Sequence, residues 1–143
     1  MIYVKDIMTR RVRTIGSDAS IRDAAKAMSR WKIGALVIVQ ARSKPVGIVT
    51  EGDISRSVAR GVDPDSSVAS LKRKSLVTVS PAEKVEVAAR IMSEAGIKKL
   101  PVMENHRLVG IVTQTDIVGS SFSLVTSLKE MVQARYRPPD FEM

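Results

Sequence analysis

The sequence has 143 residues, a formal net charge of +8 and no cysteine. This length suffices for one compact domain with an apolar core, and the lack of cysteine excludes a disulfide framework and a thiol nucleophile. The longest apolar stretches fall well short of the about 20 residues that cross a bilayer, and the first residues lack a signal peptide's apolar segment. We therefore expect a cytoplasmic protein that makes no membrane contact.

The first part of the chain predicts the order strand, helix, strand, strand, helix. Alternating apolar residues predict short strands at residues 4–8 and 12–15. Ser20 and Asp23 form a capping box that opens an amphipathic helix with apolar residues at helical spacing, namely Ile21, Ala24, Ala25 and Met28. Residues 36–39 and 46–49 predict a hairpin around a loop at Lys44 and Pro45. The last helix follows Thr50 and stops at Gly61.

The same order returns about 64 residues later. Gly-Ile-Val-Thr-x-x-Asp-Ile at residues 47–54 recurs at residues 110–117, with six of eight positions identical. Strands are expected at residues 68–72 and 76–79, a helix from Ser80 and Pro81 to Gly96, and a hairpin from residues 100–103 and 108–112. We predict an α+β fold in which two β-α-β-β-α repeats, residues 1–61 and 62–122, pack sheet to sheet about a pseudo-twofold axis and share one core. Residues 123–143 would form a C-terminal helix and tail.

On these residues the sequence resembles a pair of CBS domains, a family named after cystathionine beta-synthase. The two Gly-Ile-Val-Thr-x-x-Asp-Ile motifs and Leu100-Pro101-Val102 carry the resemblance, which covers residues 1 to about 120. It implies a module that binds adenosyl compounds between its repeats (AMP, ADP or ATP, with S-adenosylmethionine as an alternative), forms homodimers through helix faces and regulates a partner, here unidentified. No catalytic, channel or DNA-binding domain accompanies the repeats, so we expect a stand-alone sensor that is not an enzyme and requires no cofactor.

The two Thr-x-x-Asp turns are the first candidate site, with Thr50 and Asp53 in one copy and Thr113 and Asp116 in the other. A carboxylate can accept charge-assisted hydrogen bonds from both ribose hydroxyls, and the resemblance assigns this role to the acid. The alternative is a capping box, in which Thr and Asp only begin a helix. Both roles can coexist.

Basic residues near these turns are candidates for binding phosphate. Lys98 and Lys99 precede Leu100-Pro101-Val102, and Arg56 lies one helical turn after Asp53. Their equivalents in the other copy are uncharged, namely Gly34, Ala35 and Gly119. We therefore expect two unequal clefts, with solvated surface lysines as the alternative for Lys98 and Lys99.

The pocket wall is expected to come from apolar and threonine residues. Strand ends could contact adenine, and matched hairpin positions could close the pocket; the candidates are Thr14, Ile15, Thr78, Val79, Val37 and Pro101. For Ile15 and Val79, a plain core position is the favoured alternative.

Two other functions compete with ligand sensing. Nucleic-acid binding is motivated by the net charge of +8 and by Lys72-Arg73-Lys74, but a content of 3% aromatic residues disfavours a base-stacking surface. The other alternative is a purely structural dimerisation module whose clefts are empty. An apolar stripe from Phe122 to Val132 motivates the predicted homodimer. The single histidine, His106, is expected on the surface; neither a catalytic triad nor a zinc ligand set nor a P-loop is visible.

Overall fold

The computed structural model describes residues 1–71, 75–120 and 130. Its helices and strands are α1 (Val4–Ile7), β1 (Thr14–Gly16), α2 (Ile21–Trp31), β2 (Ala35–Gln40), β3 (Lys44–Thr50), α3 (Glu51–Ala59), α4 (Val85–Ala95), β4 (Lys99–Glu104), β5 (Arg107–Thr113) and α5 (Gln114–Gly119). The predicted α+β architecture is confirmed. The predicted C-terminal helix, its apolar stripe and the Lys72-Arg73-Lys74 cluster lie outside the described residues.

The sequence repeat is also a structural repeat. In the first sheet β1 runs parallel to β2 and β2 antiparallel to β3, while β4 and β5 form an antiparallel hairpin. Val79 makes a parallel bridge to Val102, which matches the pairing of Ile15 with Ile38 at an offset of 64 residues. Both hairpins also shift register at the same place, after Ile38 and after Val102.

Three predicted strands are wrong. The strand predicted at residues 76–79 is reduced to the single bridge of Val79, and those predicted at residues 4–8 and 68–72 are not strands at all. Residues Val4–Ile7 form the short helix α1, and Val68–Leu71 form a 3-10 turn. Their first amides bond to the opposite copy instead of to a sheet neighbour: the Val4 N–H donates to the Glu83 carbonyl and the Val68 N–H to the Ala19 carbonyl, both at 2.8 Å. A short alternating pattern cannot reveal such a distant partner.

Two element boundaries also differ from the prediction. The helix expected from Ser80 and Pro81 begins at Val85, because Ser80 starts a turn whose carbonyl accepts the Glu83 N–H. The loop expected at Lys44 and Pro45 lies at Ala41–Ser43, and β3 begins at Lys44. The capping box at Ser20 and the helix end at Gly96 are confirmed.

Two apolar cores replace the single shared core that we expected. One cluster contains Ala24, Met28, Leu36, Ile38, Val49 and Val68, and the other contains Val4, Val79, Ala88, Met92, Leu100, Val102 and Val112. Alternation along β2 and β4 puts Val37 and Pro101 on the strand faces opposite these cores, yet both residues are fully buried. The sheets therefore bury their second faces as well, and β3 lies against β5.

In the described part of the chain, none of the helices combines the length and the apolar character needed to cross a membrane.

Candidate functional site

A cleft of about 370 Å³ lies between the two repeats. The first repeat contributes the end of β3 and the start of α3, and the second contributes the segments before α4 and between α4 and β4. The lining residues are Gly47, Ile48, Thr50, Gly52, Asp53, Arg56, Ser75, Leu76, Val77, Gly96, Ile97, Lys98 and Lys99. This volume falls within the range of about 300–1,000 Å³ that is usual for small-molecule sites.

Thr50 and Asp53 are fixed at the mouth of this cleft by the capping box of α3. The Thr50 N–H and hydroxyl donate to Asp53 Oδ2 at 2.8 and 3.0 Å, and the Asp53 N–H donates to Thr50 Oγ1 at 3.3 Å. The helix N-terminus also favours a negative charge at this position. The cap therefore holds the carboxylate with its second oxygen, Oδ1, directed away from the helix start.

Arg56 reaches back to that second oxygen. Its Nη2 atom lies 2.8 Å from Asp53 Oδ1. The Asp53 side chain is 22% exposed and that of Arg56 57%, so the carboxylate is sheltered while the guanidinium remains in contact with solvent. The ion pair thus lies at the surface of the cleft.

Lys98 and Lys99 enter the cleft from the second repeat. Lys98 is exposed and Lys99 is partly buried. The Lys99 ammonium extends towards Gly34, where a Cβ would lie 3.7 Å from it and 3.8 Å from Glu51 Oε1. With Arg56, three cations and one carboxylate, Asp53, line the cleft. The Glu51 carboxylate lies beside Lys99 without lining the cleft, and the remaining excess of positive charge favours an anionic ligand.

The other Thr-x-x-Asp turn repeats the cap but lies outside this cleft. The Thr113 N–H donates to Asp116 Oδ2 at 2.9 Å, and the Asp116 N–H donates to Thr113 Oγ1 at 3.1 Å. This turn therefore contributes no residue to the cleft, and a ligand contact at Asp116 stays a prediction.

The residues proposed for the pocket wall do not line this cleft. Val37, Pro101 and Val79 are buried, Thr78 is partly buried, and Thr14 and Ile15 pair with β2. Their contact with adenine stays a prediction. The apolar surface of the cleft comes instead from residues that the sequence analysis missed, namely Ile48, Leu76, Val77 and Ile97.

Gly52 is a further lining residue that the sequence analysis missed, and a signal for it exists in the sequence. It is one of the two positions at which the otherwise identical motifs differ, with Thr115 as its counterpart. An ideal Cβ on Gly52 would lie 3.1 Å from Arg56 Nη1, so the guanidinium lies directly over this glycine.

Among the described residues, no group of three His, Cys, Asp or Glu side chains is close enough to hold a metal ion. His106 is exposed in the hairpin turn, as expected.

The family model for the CBS domain matches residues 4–60 and 68–123. The chain belongs to the CBS-domain family. This confirms the resemblance inferred from the repeated motifs and from Leu100-Pro101-Val102. A curated member, the CBS domain-containing protein YhcV of Bacillus subtilis, is 32% identical over 124 residues, which cover 86% of this chain and 88% of that protein.

Solved CBS-domain structures have the same fold. A CBS-domain protein of Pyrobaculum aerophilum complexed with AMP matches with a TM-score of 0.79 and 27% identity, covering 90% of this chain and 99% of that one. The CBS-domain pair of protein MJ0100, complexed with 5′-methylthioadenosine and S-adenosyl-L-methionine, matches with a TM-score of 0.77 and 32% identity, covering 90% and 98%.

Some curated CBS-domain relatives are named as enzymes, but the match covers a small part of them. Homoserine O-acetyltransferase of Methanohalobium evestigatum is 40% identical over 116 residues, and the chain spans 23% of its length.

Proposed function

We propose that this CBS-domain pair is a regulatory module, not an enzyme, which binds AMP, ADP or ATP between its repeats and signals to a partner protein. One observation carries the proposal: the cleft brings a helix-start carboxylate, Asp53, together with three cations from both repeats. A ribose diol suits the carboxylate, and a phosphate suits the cations. The AMP complex of the Pyrobaculum relative supports the same ligand class.

Charge sets the expected orientation of the nucleotide. Asp53 repels phosphate, so it should face the ribose, leaving the phosphate towards Lys98 and Lys99. The apolar side chains that line the cleft offer surface for adenine, namely Ile48, Leu76, Val77 and Ile97. Because these groups come from both repeats, the ligand would bridge them and stabilise one relative arrangement, which a partner could recognise.

The test is calorimetric titration with AMP, ADP, ATP and S-adenosylmethionine. Asp53→Ala should weaken nucleotide binding about ten- to a hundredfold, because a charged hydrogen-bond partner is lost. Asp23→Ala is the matched control, since Asp23 makes the same capping box at the start of α2 but does not line the cleft. Equal affinities of Asp53→Ala and the parent would refute the assignment.

S-Adenosylmethionine is the alternative ligand, because the MJ0100 domain pair was solved with it. A preference for it over AMP in the same titration would replace the nucleotide proposal. Identical melting curves with and without every adenosyl compound would instead favour a purely structural module, since a ligand of the folded state raises its stability.

A homodimer through helix faces remains part of the proposal. Val58 on α3 is 70% exposed and Trp31 at the end of α2 is 39% exposed, and these two helices are in contact. Exposed apolar side chains on neighbouring helices are typical of an association surface. Val58→Glu should therefore shift sedimentation towards the monomer, and a monomeric parent at millimolar concentration would contradict the dimer.

A further inference from the structure

We infer that Arg56 makes this cleft selective for adenosyl ligands that carry phosphate, by leaving Asp53 for the phosphate when such a ligand binds. The inference rests on the proposed function and names its specificity determinant. Asp53 already accepts several hydrogen bonds, a glycine lies beneath Arg56, and the second copy has neither this glycine nor an arginine at the equivalent positions.

Asp53 has little acceptor capacity left in the structure. A carboxylate offers about four acceptor positions. Two donors from Thr50 occupy Oδ2, and Arg56 occupies Oδ1. A ribose diol brings two more donors, so Asp53 can accept both well only after Arg56 has left.

The surroundings give the guanidinium somewhere to move. It lies over Gly52, where a Cβ would be 3.1 Å from Nη1 and 3.4 Å from Nη2. A second cavity of about 220 Å³ adjoins Asp53 and Arg56 on the side of Ser57 and Arg60. With a cavity on either side, the side chain can swing from the carboxylate to a neighbouring anion without moving the backbone.

The second copy lacks both the glycine and the arginine. Thr115 replaces Gly52, and Gly119 replaces Arg56. Among the described residues, Asp116 has no ion pair comparable with that of Asp53. Asp116 thus keeps its acceptor capacity for a sugar but has no linked cation for a phosphate.

Selectivity follows from what each ligand offers Arg56. An exposed ion pair within one helix is weak, whereas a phosphate can accept two parallel hydrogen bonds from a guanidinium. The phosphate of AMP therefore replaces the Asp53 carboxylate as the hydrogen-bond acceptor of Arg56. Adenosine offers no anion. S-Adenosylmethionine has one carboxylate, but its sulfonium and ammonium leave it with a net positive charge, which three cations lining the cleft disfavour.

Titration of AMP and adenosine against the parent and Arg56→Gln tests the inference. Glutamine keeps the helix propensity of arginine and removes its charge. Arg56→Gln should weaken AMP binding about tenfold or more, while adenosine binding stays unchanged or becomes tighter because Asp53 is released. Gly52→Thr places a side chain where the Arg56 guanidinium lies, so it should also lower the ratio of the affinity for AMP to the affinity for adenosine.

The converse variant introduces the glycine and the arginine at the equivalent positions of the second copy. In an Asp53→Ala background, Thr115→Gly with Gly119→Arg should raise the ratio of the affinity for AMP to the affinity for adenosine. Among the described residues, apart from the chain neighbours and the backbone of α5 itself, no atom lies within 4 Å of a Cβ on Gly119. Equal weakening of AMP and adenosine by Arg56→Gln would overturn the inference while leaving the nucleotide proposal intact. A parent that binds neither ligand would overturn the proposed function itself, and this inference with it.

Discussion

Val4 is fully buried in the core of the second repeat, and Val68, its equivalent 64 residues later, is fully buried in the core of the first. The backbone follows the same exchange, because the acceptors of their amides, Glu83 and Ala19, are also 64 residues apart. Each repeat thus completes its core with the segment that precedes the other. The exchange links the two halves whose meeting forms the cleft.

Val4→Ala should therefore destabilise the half to which Val4 does not belong in sequence. Removing two buried carbons should lower the free energy of unfolding by about 2 kcal/mol. In hydrogen exchange, the amides of Leu100 and Val112 should lose more protection than those of Leu36 and Val49. Val68→Ala should give the reverse pattern. If both variants lowered the protection of amides in the same repeat, the swap of Val4 and Val68 between the two cores would not stabilise the repeats.

His106→Gly should stabilise the protein. Asn105 and His106 have φ angles of 50° and 64°, as the two-residue turn of a type I′ hairpin requires. A left-handed residue with a Cβ costs roughly 1–2 kcal/mol, and glycine removes that cost. The midpoint temperature of thermal unfolding should rise by a few degrees for His106→Gly. His106→Ala keeps the Cβ and serves as the control, and an equal gain for it would contradict the explanation.

The protein should lose stability at low pH when the Asp23 carboxylate becomes protonated. The Ser20 backbone N–H, which donates to this carboxylate at 3.1 Å, lowers the pKa of Asp23 first, and the Ser20 side chain adds to it. Because the folded pKa is lower than the unfolded one, the unfolded state binds more protons between the two values, and stability falls as the pH drops from about 5 through the folded pKa. Asp23→Asn should reduce the change of the free energy of unfolding with pH in this range. If this pH dependence stayed the same as in the parent, Asp23 would not be its cause.

Local patterns predicted most of the fold because helices and hairpins depend on neighbours in sequence. The capping box at Ser20 and the end of α4 at Gly96 were correct for that reason. Residues 4–8 were predicted wrongly because their partners lie in the other repeat. Alternation alone cannot distinguish a strand from a helical turn that buries Val4 in a distant core.

The candidate site shows the same limit. The motif itself identified Thr50 and Asp53, and a one-turn spacing identified Arg56, all of which line one cleft. The wall formed by residues 75–77 was missed because it depends on how the repeats meet. Gly52 was missed although its replacement by Thr115 is visible in the sequence, because the role of a glycine appears only once its neighbour, Arg56, is seen lying over it.

The two lysines should contribute unequally to nucleotide binding. Lys98 is exposed at the cleft, whereas the Lys99 ammonium lies near Gly34 and the Glu51 carboxylate, which offsets part of its charge. Lys98→Ala should therefore weaken AMP binding more than Lys99→Ala does. The double variant should weaken AMP more than adenosine, because only AMP carries a phosphate.

Ionic strength gives an independent measurement of the same effect. Added salt screens charges at the surface of a cleft, so the affinity of the parent for AMP should fall between low and physiological salt, whereas its affinity for adenosine should stay nearly constant. In Lys98→Ala the salt dependence for AMP should be smaller than in the parent. If the parent and Lys98→Ala had the same salt dependence, the Lys98 charge would not act on the phosphate, and AMP would have to be oriented by Arg56 and Lys99.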